Sequence, residues 1–226
     1  MIMEMKKILG TLTLVTVLQT SPVFAQEQAT EKLPVTNSDD IQKVIEAKLM
    51  LNFSDGQFYA ERLISRAELA SILVKAFYLD KRQAAKQKTA VIVSDVPSSH
   101  WAYQDIQTVL KTDIMKGYRG NLFFPNQRIT RAEGIAIFAQ AYGVFQFTDE
   151  TVNEILAAYP DQNSLPKWAR RAIATIITEG FLNTDTQGNI NPLRPMTRGD
   201  MAYLLSKYLQ RQQKQPQMPI VPGVPQ

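Results

Sequence analysis

Thr130-Arg131-Ala132-Glu133-Gly134-Ile135 decides the fold, because the chain carries it three times. Ser65-Arg66-Ala67-Glu68-Leu69-Ala70 comes before it and Thr197-Arg198-Gly199-Asp200-Met201-Ala202 after it, with the arginines 65 and 67 residues apart. In each copy a hydroxyl residue stands three positions before an acid. That is the spacing of a capping box: the hydroxyl accepts the N–H of the third helical residue and the carboxylate accepts the cap's own N–H. Asp200 is one methylene shorter than glutamate and predicts a weaker version. Downstream apolar positions keep the same register: Ala70, Leu73 and Phe77, then Ile135, Phe138 and Tyr142, then Ala202, Leu205 and Leu209. One such helix cannot bury its stripe alone. Three equivalent helices can bury theirs against each other, which predicts an all-α fold around a central three-helix bundle.

A second landmark repeats in the same register. Asp95-Val96-Pro97 leads to His100-Trp101-Ala102, and Asp161 leads to Pro166-Lys167-Trp168-Ala169, with the only two tryptophans of the chain 67 residues apart. Spacings of three and four predict an amphipathic helix over residues 101–111 (Ala102, Ile106, Val109, Leu110) and another over 168–179 (Ala169, Ala172, Ile173, Ile176). The first unit has only residues 39–51 with Ile41, Val44, Ile45 and Leu49, and lacks the tryptophan. Each unit thus reads as helix, loop, helix. The loops carry Gly56, Gly120 and Gly188, suited to positive-φ turns. Two stretches fall outside the repeat, a lysine-rich linker at 81–90 and an extra short helix at 148–159 capped by Thr148.

Residues 1–25 read as a secretory signal: Lys6 and Lys7, an apolar run over 8–18, and Val23-Phe24-Ala25 at a cleavage site, too short to span a membrane. No other stretch is apolar enough for a span. The organisation expected is signal 1–25, flexible leader 26–37, a degenerate first repeat 38–80, linker 81–90, second repeat 91–143, third repeat 144–209 with the extra helix, and a disordered Pro/Gln-rich tail 210–226. The absence of cysteine excludes disulfides, thiolate metal sites, a cysteine nucleophile and a lipoprotein anchor. A single histidine, His100, excludes a His-based zinc cluster. A net charge of +4 is too weak and too scattered to indicate nucleic-acid binding, though it suits an anionic polysaccharide. No paired catalytic constellation, phosphate loop, cofactor motif or metal cluster stands out, so the sequence reads as non-enzymatic.

These residues resemble the S-layer homology (SLH) family, whose repeat runs Asp-Val-Pro, Trp-Ala, Gly-Tyr, Phe-x-Pro and Thr-Arg-Ala-Glu. The second unit carries nearly all of it: Asp95-Val96-Pro97, Trp101-Ala102, Gly117-Tyr118, Gly120, Phe124-Pro125 and Thr130-Arg131-Ala132-Glu133. The third unit has Gly199 and Asp200 in place of Ala and Glu, and its Tyr159-Pro160-Asp161 and Pro166-Lys167-Trp168-Ala169 resemble the variant common in cyanobacterial envelope proteins. The resemblance implies a pseudo-threefold trimer of repeats, with a central three-helix bundle and three helix-loop prongs. It also implies non-covalent binding of a cell-wall polysaccharide, commonly anionic and sometimes pyruvylated, in grooves between prongs.

On that reading Arg131, and with it Arg66 and Arg198, projects beyond a helix end where free N–H groups and a guanidinium fork could hold a sugar carboxylate. The alternative is that each arginine pairs with a loop carbonyl or carboxylate of the protein itself. Trp101 and Trp168 can offer a flat face to a sugar or pack the prongs onto the bundle. Asp95 and Gly120 complete the candidate set, Asp95 also suiting a turn and Gly120 letting a ligand approach closely. Arg119 and Arg128 could add positive potential. The degraded motifs of the outer units predict unequal grooves, with the one involving Arg131 best formed. A competing reading is an envelope protein-interaction module that kept the fold and lost the sugar, for which Gly199-Asp200 and the missing first tryptophan speak.

Overall fold

The computed structural model describes residues 36–214. The expected signal, the leader up to residue 35 and the tail from 215 lie outside them. Among the described residues the chain is helical, with only isolated β-bridges. The helices are α1 (Ser38–Glu46), α2 (Arg66–Phe77), α3 (Gln83–Gln87), α4 (Tyr103–Lys111), α5 (Arg131–Tyr142), α6 (Asp149–Leu156), α7 (Arg170–Thr178) and α8 (Arg198–Lys214). In repeat order α1, α4 and α7 are the first helices and α2, α5 and α8 the second. α3 and α6 are the two stretches outside the pattern, and Thr148 caps α6 as expected.

The three repeated caps form. The hydroxyls of Ser65, Thr130 and Thr197 accept the N–H groups of Glu68, Glu133 and Asp200 at 3.2, 3.3 and 3.1 Å. The three carboxylates accept the cap N–H groups in return at 2.8, 2.7 and 2.8 Å, so Asp200 closes its box as well as the glutamates do. Each first helix ends at a left-handed residue in the same register: Lys48 (φ 57°), Asp113 (φ 59°) and Gly180 (φ 74°).

The repeats contact one another in a closed cycle. The second helix of each repeat packs on the first helix of the next: α2 on α4, α5 on α7, and α8 back on α1. The second helices converge through aromatic side chains. Phe77 of α2 lies 5.1 Å from Phe138 of α5 and 4.9 Å from Tyr208 of α8, and Tyr208 lies 6.1 Å from both Phe138 and Tyr142. At the opposite end the strands of backbone entering these helices pair in turn, with Ile64 N–H donating to Met196 O and Met196 N–H to Ile129 O. Gly134 makes this crossing feasible, since a Cβ there would stand 2.1 Å from the Met196 sulfur.

Three expectations about boundaries change. α4 and α7 begin two residues after their tryptophans, which sit in the preceding turn and, for Trp168, a short 3-10 segment. α1 stops at Glu46 because Lys48 turns the chain, and the N–H groups of Leu49 and Met50 fold back onto Val44 O. α8 continues to Lys214, five residues into the expected tail, where Arg211 pairs with Glu179 at 3.2 Å.

Tyr208 touches rings from both other second helices and donates to Ala76 O. Tyr208→Ala should therefore lower unfolding free energy by about 3–5 kcal/mol, the range for deleting a large buried side chain, as read from urea denaturation.

Candidate functional site

The three repeated arginines point inward. Arg131 is 0% exposed, and Arg66 and Arg198 are nearly as deeply buried. Each guanidinium reaches into the next repeat and binds two backbone carbonyls there. Arg66 donates to Phe123 O and Lys116 O at 2.8 and 2.7 Å. Arg131 donates to Ile190 O and Asn183 O at 2.7 and 2.8 Å. Arg198 donates to Phe58 O and Leu51 O at 2.9 and 2.7 Å, which closes the ring from repeat three to repeat one. Phe58, Phe123 and Ile190 occupy one register, and Leu51, Lys116 and Asn183 another.

What surrounds the guanidinium differs between repeats. Arg66 lies over the rings of Tyr118 and Phe123 at 4.8 and 4.5 Å, and Arg198 over Phe53 and Phe58 at the same distances. The matching residues around Arg131 are Asp185 and Ile190, which offer no ring. Arg131 instead forms an ion pair with Asp200 at 2.8 Å, and Asp200 also pairs with Arg194 at 2.7 Å. Burial pushes the Arg131 pKa down and Asp200 opposes that shift. The aspartate in place of glutamate thus has a structural reason, as does Gly199, where a Cβ would crowd Ala60 O at 3.2 Å.

The helix starts are also occupied. The first two N–H groups of α2 donate to Gln127 O and Pro125 O, those of α5 to Arg194 O and Pro192 O, and those of α8 to Arg62 O and Ala60 O. With the capping hydroxyl on the third N–H, no donor is left to hold an anion. The expected ligand role of Arg131 gives way to the alternative reading, a clamp between repeats. Arg66 is equally committed to loop carbonyls, and Arg198 reaches a groove only as part of its floor.

Asp95 and Gly120 also serve the prong loops. Asp95 accepts the N–H groups of Phe123 and Phe124 at 2.8 and 2.6 Å, and Asp161 repeats this with Ile190 and Asn191 at 2.9 and 2.7 Å. Gly120 has φ +79° and turns the loop. Arg128 donates to Leu63 O.

The grooves lie where the second helix of one repeat meets the first helix of the next. The first, of about 190 Å³, is lined by residues 49–53, by Glu68, Ile72 and Lys75 of α2, by Arg198 and by Trp101. The second, of about 670 Å³, is lined by Met115, Lys116, Ile137 and Gln140, and by Trp168 and Arg171. These are the same place in consecutive repeats. Trp101 and Trp168 are 65% and 62% exposed, so neither tryptophan is spent on packing. The third position differs. Thr36 stands in register with Trp101, and its hydroxyl donates to Gly199 O at 3.0 Å. Lys207, in register with Lys75, is drawn to Asp40 at 3.4 Å and lies over the Tyr203 ring. Lys75, Gln140 and Lys116 were missed in the sequence. For Lys75 and Gln140 the signal was a polar break in an otherwise apolar helix face, at matching steps in two repeats; Lys116 lies in the loop after α4, where no such pattern marks it.

The S-layer homology domain family model matches residues 34–70, 94–133 and 158–202, more than half of the chain. The chain belongs to the S-layer homology domain family. It is 26% identical over 173 residues to the Surface-layer 125 kDa protein of Lysinibacillus sphaericus, covering 75% of this chain and 14% of that protein. It is 33% identical over 122 residues to the Cellulosome-anchoring protein of Acetivibrio thermocellus, covering 50% and 27%. Against S-layer protein sap of Bacillus anthracis the figures are 26% over 206 residues, 89% and 24%. This SLH chain spans between 14% and 27% of the lengths of these three relatives. α6 lies between the second and third matched segments.

Two outcomes follow for the SLH frame. Arg131→Ala leaves the Ile190 and Asn183 carbonyls unpaired and Asp200 with Arg194 as its remaining partner, and should lower stability by about 3–5 kcal/mol in chemical denaturation, the range for breaking a buried charged network. The second concerns Asp185. Partial burial pulls its pKa up, but the amides of Asn191 and Asn189 and two backbone N–H groups outweigh that and hold it at about 2. A carboxylate depressed in the folded state stabilises above its unfolded value of 3.8 and loses that contribution as pH falls through about 2. An NMR titration should place its midpoint near 2, and Asp185→Asn should flatten the fall in stability between about pH 4 and 2.

Proposed function

We propose that this chain is an exported, non-enzymatic attachment module of the cell envelope, which holds an anionic wall polysaccharide non-covalently in two of its three inter-repeat grooves. The observation that carries the reading is the exposure of Trp101 and Trp168 at corresponding grooves, in a protein whose other large side chains mostly pack inward. An exposed indole at a fixed place offers an apolar face on which a sugar ring can lie. Beside each indole stand cations, Lys75 in the first groove and Lys116 with Arg171 in the second. They suit a carboxylate, and a pyruvyl group is one way a wall sugar carries one. Arg198 makes the first groove's floor positive. The relatives called surface-layer and cellulosome-anchoring proteins fit a chain that attaches to a wall. Export rests on the three-part pattern of residues 1–25.

The third groove is assigned no ligand, because Thr36 replaces the indole and Lys207 is engaged by Asp40. The test is co-sedimentation of the mature chain with wall sacculi, before and after their polysaccharide is stripped. The unaltered chain should pellet only with intact sacculi. Trp101→Ala with Trp168→Ala should stay soluble at unchanged melting temperature, and each single substitution should retain part of the binding. Equal retention of the double variant would refute the groove assignment. Retention on stripped sacculi would remove the polysaccharide from the account, and capture of a defined envelope protein without wall material would favour the interaction-module reading.

A further inference from the structure

Trp168 and Arg171 also line a second cavity, of about 510 Å³, whose other walls are Lys167 and Arg170 on one side and Asp149 and Asn153 of α6 on the other. Because the same two residues line both spaces, this cavity adjoins the second groove. We propose that it is an additional subsite, built by α6, which takes a further anionic sugar residue of the strand held in that groove. The inference rests on the attachment reading above and deepens it.

Three cations face one carboxylate. Asp149 is matched to Arg171 at 2.9 Å. Arg170 is held by Gln162 O and Asn153 Oδ1, both at 3.0 Å, and these neutral acceptors orient its guanidinium without cancelling its charge. Lys167 makes no hydrogen bond or ion pair among the described residues and is exposed. The first turn of α7 therefore carries two arginines and no acid, against the preference of a helix N-terminus for negative charge. An external anion supplies what the turn lacks, and a guanidinium already fixed by two acceptors presents its remaining donors to a carboxylate or phosphate at little ordering cost.

At the first groove the positions of Lys167, Arg170 and Arg171 are held by His100, Tyr103 and Gln104. None carries a permanent charge, and the His100 ring stacks beside Trp101 with centroids 5.7 Å apart. The cationic wall and α6 occur together, in the third repeat only, and α6 falls outside the segments that the family model matches. Within this molecule the subsite is thus a property of the third repeat alone.

The test compares Lys167→Glu with Lys86→Glu, an equal charge reversal on α3, in the full mature chain. Affinity for intact wall sacculi is measured by sedimentation, with melting temperature as the control for folding. Lys167→Glu should bind about five- to tenfold more weakly, and Lys86→Glu within about twofold of the unaltered chain. Amidating the wall carboxylates should erase that difference if carboxylate is the anion, and a difference that survives amidation assigns phosphate. If Lys167→Glu binds like Lys86→Glu while Trp168→Ala still weakens retention, the subsite is refuted and the attachment reading stands. If the unaltered chain does not bind intact sacculi, both fall together.

Discussion

The fold depends on a buried guanidinium that leaves its own repeat and ties down the loop of the next. Each clamp joins two carbonyls of a prong to the first turn of a central helix, while the N–H groups of that turn bind two more carbonyls of the same loop. A repeat by itself would leave these groups without partners, and buried polar groups left unpaired are costly. The unit of stability is therefore the closed cycle. Arg198, more than 130 residues away in sequence from Phe58 and Leu51, makes the contact that turns three tandem copies into a ring.

Three equivalent clamps need not be built from the same neighbours. Where the loop supplies aromatic rings, as around Arg66 and Arg198, the cation is held over their faces. Where it supplies Asp185 and Ile190, the charge is balanced by Asp200. Asp200 closes its capping box with one oxygen and meets the Arg131 guanidinium with the other. Aspartate serves both the cap and the ion pair from a shorter stem. The departure from the repeat at Gly199-Asp200 is thus explained within the protein, and needs no lost ligand.

Much of this was legible in the sequence, and the reason is local. Caps, amphipathic periods and turn residues act over three or four positions, so Thr130, Glu133 and their copies announced the helices, and Thr148 announced α6. The direction of a long side chain is not local. Arg131 follows a cap and could as well reach solvent as the next repeat. Its destination depends on carbonyls at Asn183 and Ile190 that only the closed cycle brings near. The same limit hid the end of α8: residues beyond Gln210 read as a polar tail, but Arg211 finds Glu179 across the bundle. The tryptophans were ambiguous for a different reason, since an indole beginning an amphipathic helix can face either way.

Committing the arginines to the frame has a consequence for the surface. With the helix starts filled and the guanidiniums inside, recognition has to be carried by what the cycle leaves uncovered: an indole at the rim of two grooves and the lysines and arginine set around it. Such a surface can vary without disturbing the frame, because Lys75 and Gln140, or His100 and Lys167, exchange in register while the clamps beneath them stay intact. That separation explains how one repeat can present a narrow groove at Trp101, a wider one at Trp168, and a third position where Thr36 stands in place of the indole, all on the same three clamps. The insertion of α6 is tolerated for the same reason, as it packs on α7 from outside the cycle and changes only the wall beside Trp168.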